Sequence, residues 1–273
     1  MNELLSAFSK LSPLLAEITE ISGYLWEKGW AERNAGNLSI EVTDLFTERE
    51  LVVGGGVRVA TEYTYPDLAG RSFLVTGTGR RYRDLAKNAA AHTGVLRMDA
   101  DGCGYELLGA GSGDPAFRPT SEFPAHLRIH EFLRQSRARQ TVVLHTHPTE
   151  LIVLTHLPRY RNGDAINRAL WSIHPEVKVT LPRGLGLAPY TVPGTEALAE
   201  RTVEVFRQGF SVALWQWHGC VAIGETVGEA FDLIDTLNKA ARLILLCRSA
   251  GHKPTGLNET QLAELVQTFH LPE

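Results

Sequence analysis

Cysteine is scarce in this sequence. The 273 residues contain three cysteines, and no two of them stand at the C-x-x-C spacing of common zinc and redox motifs. An odd number of cysteines argues against a disulfide framework and fits a reducing compartment, so we expect a cytoplasmic protein. The three are Cys103, Cys220 and Cys247.

Long apolar stretches and basic clusters are also missing. No run reaches the roughly 18 apolar residues of a transmembrane helix, and residues 1–10 lack the basic start and long apolar core of a secretory signal. The net charge is −4, the isoelectric point is about 6.2 and no basic run exceeds two residues. Because binding to a phosphate backbone requires a broad basic face, the sequence predicts neither a membrane nor a nucleic-acid partner.

The composition is that of an ordinary globular protein, with 44% hydrophobic and 21% charged residues. No internal repeat, low-complexity segment or Pro/Ser-rich linker interrupts the chain, so residues 1–273 are predicted to form a single catalytic domain. A chain of this length buries roughly three-quarters of its unfolded surface. It needs no structural metal to fold, so a metal site is free to serve chemistry.

Hydrophobic periodicity predicts strands that alternate with helices. Leu14, Ile18, Ile21 and Leu25 recur at helical spacing, in a helix that follows Ser12-Pro13. The short links between many strands predict antiparallel neighbours, and the pattern indicates an α/β/α layered fold around a central mixed, largely antiparallel sheet. Other helices are predicted at 85–92, 122–137, 149–156, 195–208 and 226–249, and strands at 37–42, 73–75, 93–98, 141–144, 177–179, 211–214 and 221–224.

The segment 43–70 does not follow this pattern. It is irregular and polar, and Gly54-Gly55-Gly56 lies between short apolar runs. We interpret it as an insertion or a hairpin.

Two histidines follow a predicted apolar strand. In an extended chain, His145 and His147 point to the same face, about 7 Å apart at a rise of ~3.3 Å per residue. Two imidazoles so placed can bind one ion, for which zinc is the default at a redox-silent site. A pair of this kind also occurs as solvated loop histidines, and a third ligand is needed. His218, which precedes Gly219 after another strand, is a candidate, although its local sequence favours a buried core histidine.

A rival pair lies on a predicted helix. His126 and His130 stand at i and i+4, on one helix face, as in zinc-binding helices. The motif H-E-x-x-H is absent, and the same helix carries Arg128, Glu131 and Arg134. We therefore interpret His126 and His130 as polar-face or packing residues.

Glu122 stands at the start of the same helix. Thr120 or Ser121 can cap this helix, so one role for Glu122 is a first-turn carboxylate that favours the helix dipole. The alternative is a carboxylate directed into a metal cleft. The local sequence favours the first role.

Six segments, taken together and in order, resemble the class II aldolase/adducin-like family of metal-dependent sugar-phosphate aldolases. They span roughly residues 14 to 250, and six matches in register form a specific signal. Two small departures are Ala35, where the family often has glycine, and Thr78, where serine is usual. The segments are 28–38 (KGWAERNAGNL), 75–79 (VTGTG), 119–122 (PTSE), 145–147 (HTH), 192–195 (VPGT) and 218–219 (HG).

The resemblance implies the class II aldolase fold, one Zn²⁺ per subunit and a cytoplasmic homotetramer with sites near subunit interfaces. His145, His147 and His218 are the implied metal ligands, and Glu122 is the implied acid–base group. Glu176 falls where members of the family carry a second functional acid, although a solvated loop carboxylate is an equal alternative because the preceding residues 172–175 depart from the pattern. The implied phosphate ligands are Asn34, Gly36, Asn37, Thr78, Gly79, Thr120 and Ser121.

The resemblance also implies a reaction, the reversible cleavage of L-rhamnulose 1-phosphate to dihydroxyacetone phosphate and L-lactaldehyde. Three alternatives remain open. The chain could be an aldolase or 4-epimerase for another sugar phosphate, such as L-fuculose or L-ribulose phosphate. It could be a dehydratase of the same superfamily, or a non-catalytic adducin-like binding module. The glutamate at position 122 and the intact histidines favour an aldolase.

Overall fold

The computed structural model describes residues 4, 7–51, 58–111 and 116–272. The strands are β1 (Asn37–Glu41), β2 (Arg58–Ala60), β3 (Ser72–Thr76), β4 (Thr93–Met98), β5 (Gly104–Ala110), β6 (Val142–Thr146), β7 (Gly186–Ala188), β8 (Val212–Trp215) and β9 (Gly219–Gly224). The helices are α1 (Ser12–Glu27), α2 (Glu48–Leu51), α3 (Tyr82–Asn88), α4 (Phe123–Gln135), α5 (Thr149–His156), α6 (Gly163–Ile173), α7 (Pro175–Thr180), α8 (Glu196–Arg207), α9 (Val227–Ser249) and α10 (Glu259–Thr268).

The described strands form one nine-stranded sheet in the order β2-β5-β4-β3-β1-β6-β9-β8-β7. All neighbouring strands are antiparallel except β7 and β8, which are parallel. The sheet is therefore mixed and largely antiparallel, as predicted. The strand β1 lies near its centre and pairs with β3 on one side and β6 on the other.

Helices cover both faces of this sheet. Val142 and Leu144 of β6 pack in the core cluster that contains residues of α1, α5, α6 and α9, whereas Val143 packs with residues of α4 and α8. Successive strand residues point to opposite faces, so a strand buried on both sides is apolar throughout. The predicted α/β/α layering is confirmed.

The helix α9 shows how the sequence specifies one such layer. Thr226 precedes it and its hydroxyl accepts a hydrogen bond from the backbone N–H of Glu229, which caps the helix. Leu233, Leu237 and Ile244 recur at helical spacing, and all are buried against the sheet. No helix of the described residues combines the length and apolarity needed to cross a membrane.

The strand predicted at 177–179 is wrong. These residues belong to helix α7, which begins at Pro175 and buries Val177. Proline fixes a helical φ angle at the first position of a helix, and the ammonium of Lys178 lies 4.1 Å from the centre of the Trp171 ring. Three residues with alternating apolar side chains are too few to separate a strand from one helical turn.

The segment 43–70 contributes short elements, one of which is a terminal strand of the sheet. Its described part contains helix α2 and strand β2, and β2 pairs with β5 rather than with a strand of the same segment. Gly54-Gly55-Gly56, on which the prediction of an insertion or a hairpin depends, lies outside the described residues.

Candidate metal centre and acid–base site

The sheet brings the ends of four strands to one edge of the molecule. Asn37, at the start of β1, lies opposite His145 of β6, and Thr146 lies opposite Cys220 of β9. The backbone N–H of Leu38 donates to the hydroxyl of Thr76, the last residue of β3, over 3.1 Å. Segments that are far apart in the sequence therefore meet at this edge.

Both histidines at the end of β6 have their Nδ1 atoms engaged. Nδ1 of His145 lies 2.9 Å from the carbonyl oxygen of Cys220, and Nδ1 of His147 lies 2.9 Å from a carboxylate oxygen of Glu32. Both partners are acceptors, so each ring donates from Nδ1. In the neutral forms, the two Nε2 atoms are therefore unprotonated, and they lie 3.2 Å apart.

His218 reaches the same place from the turn between β8 and β9. Trp217 adopts a left-handed φ of 66°, which is unusual for a residue other than glycine. Thr155 stabilises this turn, because the backbone N–H of Trp217 donates to its hydroxyl over 3.0 Å and the indole N–H donates to its carbonyl oxygen over 3.1 Å. The turn directs His218 toward the other two histidines, and its ring stacks on Trp215.

The three histidines fit a metal ion. One nitrogen from each of His145, His147 and His218 lies within 4.8 Å of the others. Two nitrogens at ~2.0–2.1 Å from a tetrahedral zinc are about 3.3 Å apart, which matches the separation of the two Nε2 atoms. Nδ1 of His218 is buried and has no hydrogen-bond partner in the described part of the chain. Two facing lone pairs with a nitrogen of a third histidine beside them are expected where a cation binds.

The electrostatics of the cluster favour the neutral imidazoles that ligate metals. Burial, followed by the neighbouring His147 and His218 rings, holds the pKa of His145 well below its ordinary value. Burial and the neighbouring His147 also lower the pKa of His218. His218 is half-buried and belongs to this cluster, which differs from the core histidine that its local sequence favours.

Gly219 makes room for the rings. A Cβ atom on this residue would lie 2.6 Å from the carbonyl oxygen of Thr146 and 2.7 Å from Cδ2 of His147. Gly36 makes a similar close approach, because its Cβ would lie 2.8 Å from the carbonyl oxygen of His145. A larger residue at either position would overlap these atoms, so the close packing at this edge of the sheet favours glycine at both.

Glu122 directs its carboxylate toward the histidines. It is the N-terminal cap residue of α4, and its Oε2 accepts a hydrogen bond from the side-chain amide of Asn37 over 2.6 Å. The same oxygen lies 3.6 Å from Nε2 of His145. The hydroxyl of Thr120 accepts from the backbone N–H of Glu122 over 3.4 Å, and α4 has no hydrogen bond from its cap side chain. The Glu122 carboxylate therefore faces the histidine cluster from the start of α4, and its catalytic role stays a prediction.

His126 and His130 lie directly behind Glu122. Both are buried, and both rings contact the hydroxyl of Ser39, over 2.6 Å and 2.8 Å respectively. The interpretation of this pair as polar-face residues is therefore wrong, because their face of α4 packs on β1. The signal for this was Glu122, His126 and His130 at i, i+4 and i+8, together with alternating polar residues in β1.

Two of the segments that carry predicted phosphate ligands are neighbours, and the predicted ligands are not equally accessible. The backbone N–H of Thr78 donates to the carbonyl of Arg118, and that of Thr120 donates to the carbonyl of Thr76, so the 76–79 and 118–122 segments lie side by side. Thr120 and Asn37 are buried. Gly36 is partly buried, and the exposed members of the predicted set are Asn34, Thr78, Gly79 and Ser121.

Glu176 lies apart from these residues. It is exposed in the first turn of α7, a helix that packs against α9 and α10 on the opposite face of the sheet from α4. In the described residues, no hydrogen bond or ion pair connects Glu176 with the histidines or with Glu122. A role for Glu176 stays a prediction.

Comparison with known proteins shows the family to which the chain belongs. Residues 16–245 match the family model described as the class II aldolase and adducin N-terminal domain. This places the chain among the class II aldolases, which are metal-dependent lyases, and the histidine cluster is a group that could hold their metal.

Individual relatives narrow this family. The chain is 36% identical over 275 residues to a rhamnulose-1-phosphate aldolase of Bacteroides thetaiotaomicron, covering 100% of both chains. It is 34% identical over 249 residues to a rhamnulose-1-phosphate aldolase of Klebsiella pneumoniae, covering 90% of this chain and 89% of that one. A solved sugar-phosphate aldolase from Thermotoga maritima matches with a TM-score of 0.77 and 32% identity over 90% of this chain and 99% of that chain.

Proposed function

We propose that this protein is a zinc-dependent aldolase that cleaves L-rhamnulose 1-phosphate reversibly to dihydroxyacetone phosphate and L-lactaldehyde. The observation that carries the proposal is the convergence of three histidines beside one carboxylate, with 3.6 Å between Glu122 Oε2 and His145 Nε2. Two relatives with the same name match nearly the whole chain and support the choice of sugar.

His145, His147 and His218 would hold the metal, and Glu32 would orient His147. Three protein ligands leave coordination positions free for a substrate. When bound, the metal supplies a Lewis acid for the negative charge left on the ketose half when its C3–C4 bond breaks. A three-histidine site of neutral imidazoles suits zinc, which has no redox chemistry of its own.

Glu122 would move the proton. During cleavage, the C4 hydroxyl loses a proton as the aldehyde forms, and the Glu122 carboxyl group delivers a proton to the carbon that has lost the aldehyde. In the synthetic direction both transfers run in reverse, and the Glu122 carboxylate removes the proton from that carbon. The amide of Asn37 holds Oε2 in place by the hydrogen bond of 2.6 Å. General acid–base catalysis by a positioned carboxylate contributes typically about 100- to 10,000-fold to a rate.

The phosphate group would bind beside the cleft, where the exposed Asn34, Thr78, Gly79 and Ser121 offer amide, hydroxyl and backbone N–H donors. We place Gly36, Asn37 and Thr120 behind these donors as supporting residues. Glu176 would act as a second acid in a cytoplasmic homotetramer whose sites lie near subunit interfaces. Light scattering coupled to size exclusion tests the assembly, and a monomer in solution would contradict it.

The substrate is tested by assaying the purified protein with L-rhamnulose, L-fuculose and L-ribulose phosphates. We expect dihydroxyacetone phosphate from L-rhamnulose 1-phosphate, with the highest kcat/KM of the three. A larger kcat/KM with L-fuculose 1-phosphate would show that the proposed sugar is wrong. Epimerised product without dihydroxyacetone phosphate would show that the proposed reaction is wrong.

The metal is tested by elemental analysis, in which we expect about one zinc per chain, as a single three-ligand site implies. His147→Ala should lose both zinc and activity, whereas the exposed His252 serves as a matched control, and His252→Ala should keep both. Glu122→Gln should keep zinc but lose exchange of the donor proton with solvent. An active protein without a stoichiometric divalent metal would contradict the mechanism.

A further inference from the structure

Hydrogen bonds join five polar side chains of α4 and β1 in one line, which begins at His130 and ends at the carboxylate of Glu122. The contacts are His130 Nε2 to Ser39 Oγ at 2.8 Å, Ser39 Oγ to His126 Nδ1 at 2.6 Å, and His126 Nε2 to Asn37 Oδ1 at 2.5 Å. The last contact is Asn37 Nδ2 to Glu122 Oε2 at 2.6 Å. The line ends 3.6 Å from the metal-site nitrogen of His145.

The line forms because side chains on one face of a helix and on one face of a strand are spaced by nearly the same distance. Side chains at i and i+4 of an α-helix are separated by about 6 Å along its axis, and side chains at i and i+2 of a strand by about 6.6 Å. Glu122, His126 and His130 therefore interleave with Asn37 and Ser39. The neighbouring strand residues point to the other face, into the core.

The hydrogen bond between Asn37 and Glu122 determines which group donates and which accepts in every other hydrogen bond of the line. The Asn37 amide donates from Nδ2 to Oε2 of Glu122, which leaves its oxygen Oδ1 to accept from His126. His126 then donates from Nε2 and accepts at Nδ1 from the hydroxyl of Ser39. Because that hydroxyl has one proton, it must accept from His130, which donates from Nε2.

Burial supports this assignment by keeping both imidazoles neutral. It lowers the pKa of His126 to about 4 and the pKa of His130 to about 3, so each ring carries a single N–H near neutral pH. A neutral ring has one donor and one acceptor nitrogen, and the line uses both nitrogens of His126. The side chains of Ser39, His126 and His130 are buried and are not exposed to a substrate.

We propose that Ser39, His126 and His130 are positioning residues for Glu122, which act through Asn37 and fix its amide with the NH₂ group toward the carboxylate. Without them, the Asn37 amide can turn its oxygen toward Glu122, which would remove the hydrogen bond to Oε2 and leave the carboxyl group free to move. The inference rests on the proposed function, in which Glu122 is the acid–base group. It assigns to His126 and His130 a role in geometry rather than in metal binding.

The first test is the tautomeric state of the two histidines. Protein labelled with ¹⁵N-histidine would be examined by long-range ¹H–¹⁵N NMR, with signals assigned through His126→Gln and His130→Gln. We expect the Nε2–H tautomer for both residues at neutral pH. The Nδ1–H tautomer at His126 would reverse the direction of the line and overturn the inference. This readout does not depend on any activity.

The second test compares two buried strand serines. Ser39→Ala removes the central link, whereas Ser72→Ala makes the same change in β3, where the buried hydroxyl has no hydrogen-bond partner in the described residues. We expect Ser39→Ala to lower kcat and donor-proton exchange by roughly 10- to 100-fold, the loss typical of a misplaced catalytic group, with little change in KM or metal content. Ser72→Ala should match the wild type, and Ser39→Thr, which keeps the hydroxyl, should recover most of the rate.

The outcomes separate this inference from the proposed function. A wild-type protein that neither cleaves the sugar phosphate nor exchanges the donor proton would contradict the proposed function, while the tautomers would still test the line. An active wild type whose Ser39→Ala variant keeps its kcat would refute the positioning role and leave the proposed function intact. Loss of activity in Ser39→Ala together with loss of metal or of the folded state would also refute it, because the role would then be structural.

Discussion

The substitution Gly219→Ala tests whether the close packing at the strand ends sets the geometry of the metal centre. The added Cβ would lie 2.7 Å from Cδ2 of His147 and 2.6 Å from the carbonyl oxygen of Thr146. Ordinary carbon–carbon contacts are ~3.5–4.0 Å, so the His147 ring would have to move by roughly 0.8 Å. The carbonyl cannot yield easily, because Thr146 is paired with Cys220 in the sheet.

The expected loss follows from these overlaps. Overpacking of this kind costs typically about 1–3 kcal/mol, and ~1.4 kcal/mol corresponds to a factor of ten in affinity. Metal–ligand distances tolerate only about 0.2 Å, so most of the strain should fall on metal binding. We therefore expect metal affinity to fall roughly 5- to 150-fold. Gly219 does not have a left-handed φ, so the backbone itself accepts alanine.

Competition with a chromophoric chelator measures the affinity, and thermal unfolding of the metal-free protein measures the cost to the fold. Gly163→Ala is the matched control, because a Cβ at that position, in the first turn of α6, meets no atom within 4 Å. It should leave the metal affinity unchanged. If Gly219→Ala bound metal as tightly as Gly163→Ala, the rings would not be held by this contact and the reasoning would be refuted.

Three further substitutions test the surroundings of the site. Glu32→Ala removes the acceptor for Nδ1 of His147 and should weaken metal binding by about 10- to 100-fold in chelator competition; unchanged affinity would show that the carboxylate does not orient the ring. The variant His130→Gln, compared with the wild type at two pH values, tests whether the buried imidazole is neutral. Because the pKa of His130 is about 3 in the folded chain and ~6.5 when unfolded, the folded state binds fewer protons between these values, and this contribution to stability is present above pH 6.5 and falls as the pH is lowered. The difference in unfolding free energy between wild type and His130→Gln, measured in urea, should therefore shrink by about 2 kcal/mol from pH 7 to pH 5, and a constant difference would count against a neutral buried ring. Thr155→Val leaves the backbone N–H of Trp217 without its acceptor and should cost about 1–3 kcal/mol in urea unfolding, whereas a wild-type midpoint would show that the turn does not depend on this bond.

Local sequence predicted much of the fold and part of the site. The helix at 149–156 was predicted with its observed bounds, because Pro148 and the polar Thr149 mark its start. His145 and His147 were predicted as a pair from strand periodicity alone. His218 required knowledge that β8 and β9 pair beside β6, which depends on the order of strands rather than on local pattern. The family resemblance supplied that long-range information.

The line behind Glu122 was missed for a related reason. His126 and His130 share a helix with charged residues, and periodicity does not reveal which face of a helix meets the sheet. Their burial depends on β1 being a central strand with α4 above it, and the residues that receive them, Asn37 and Ser39, lie more than 80 positions away in the sequence. A pattern of polar side chains that match between two elements becomes visible only when the elements are paired in space.

The strand β1 couples the hydrophobic core to the chemistry of the site. Leu38 and Ile40 are buried in the core cluster on one face, while Asn37 and Ser39 face α4 on the other. A slip of one residue in β1 would exchange these two sets, placing polar groups in the core and apolar groups beside Glu122. The core therefore fixes the register that the site requires, since β1 pairs with a neighbour on each side. Burial of Leu38 and Ile40 stabilises the fold by roughly 1.5–3 kcal/mol for each side chain. This burial favours the one register in which Asn37 meets Glu122, so the hydrophobic core positions the polar line.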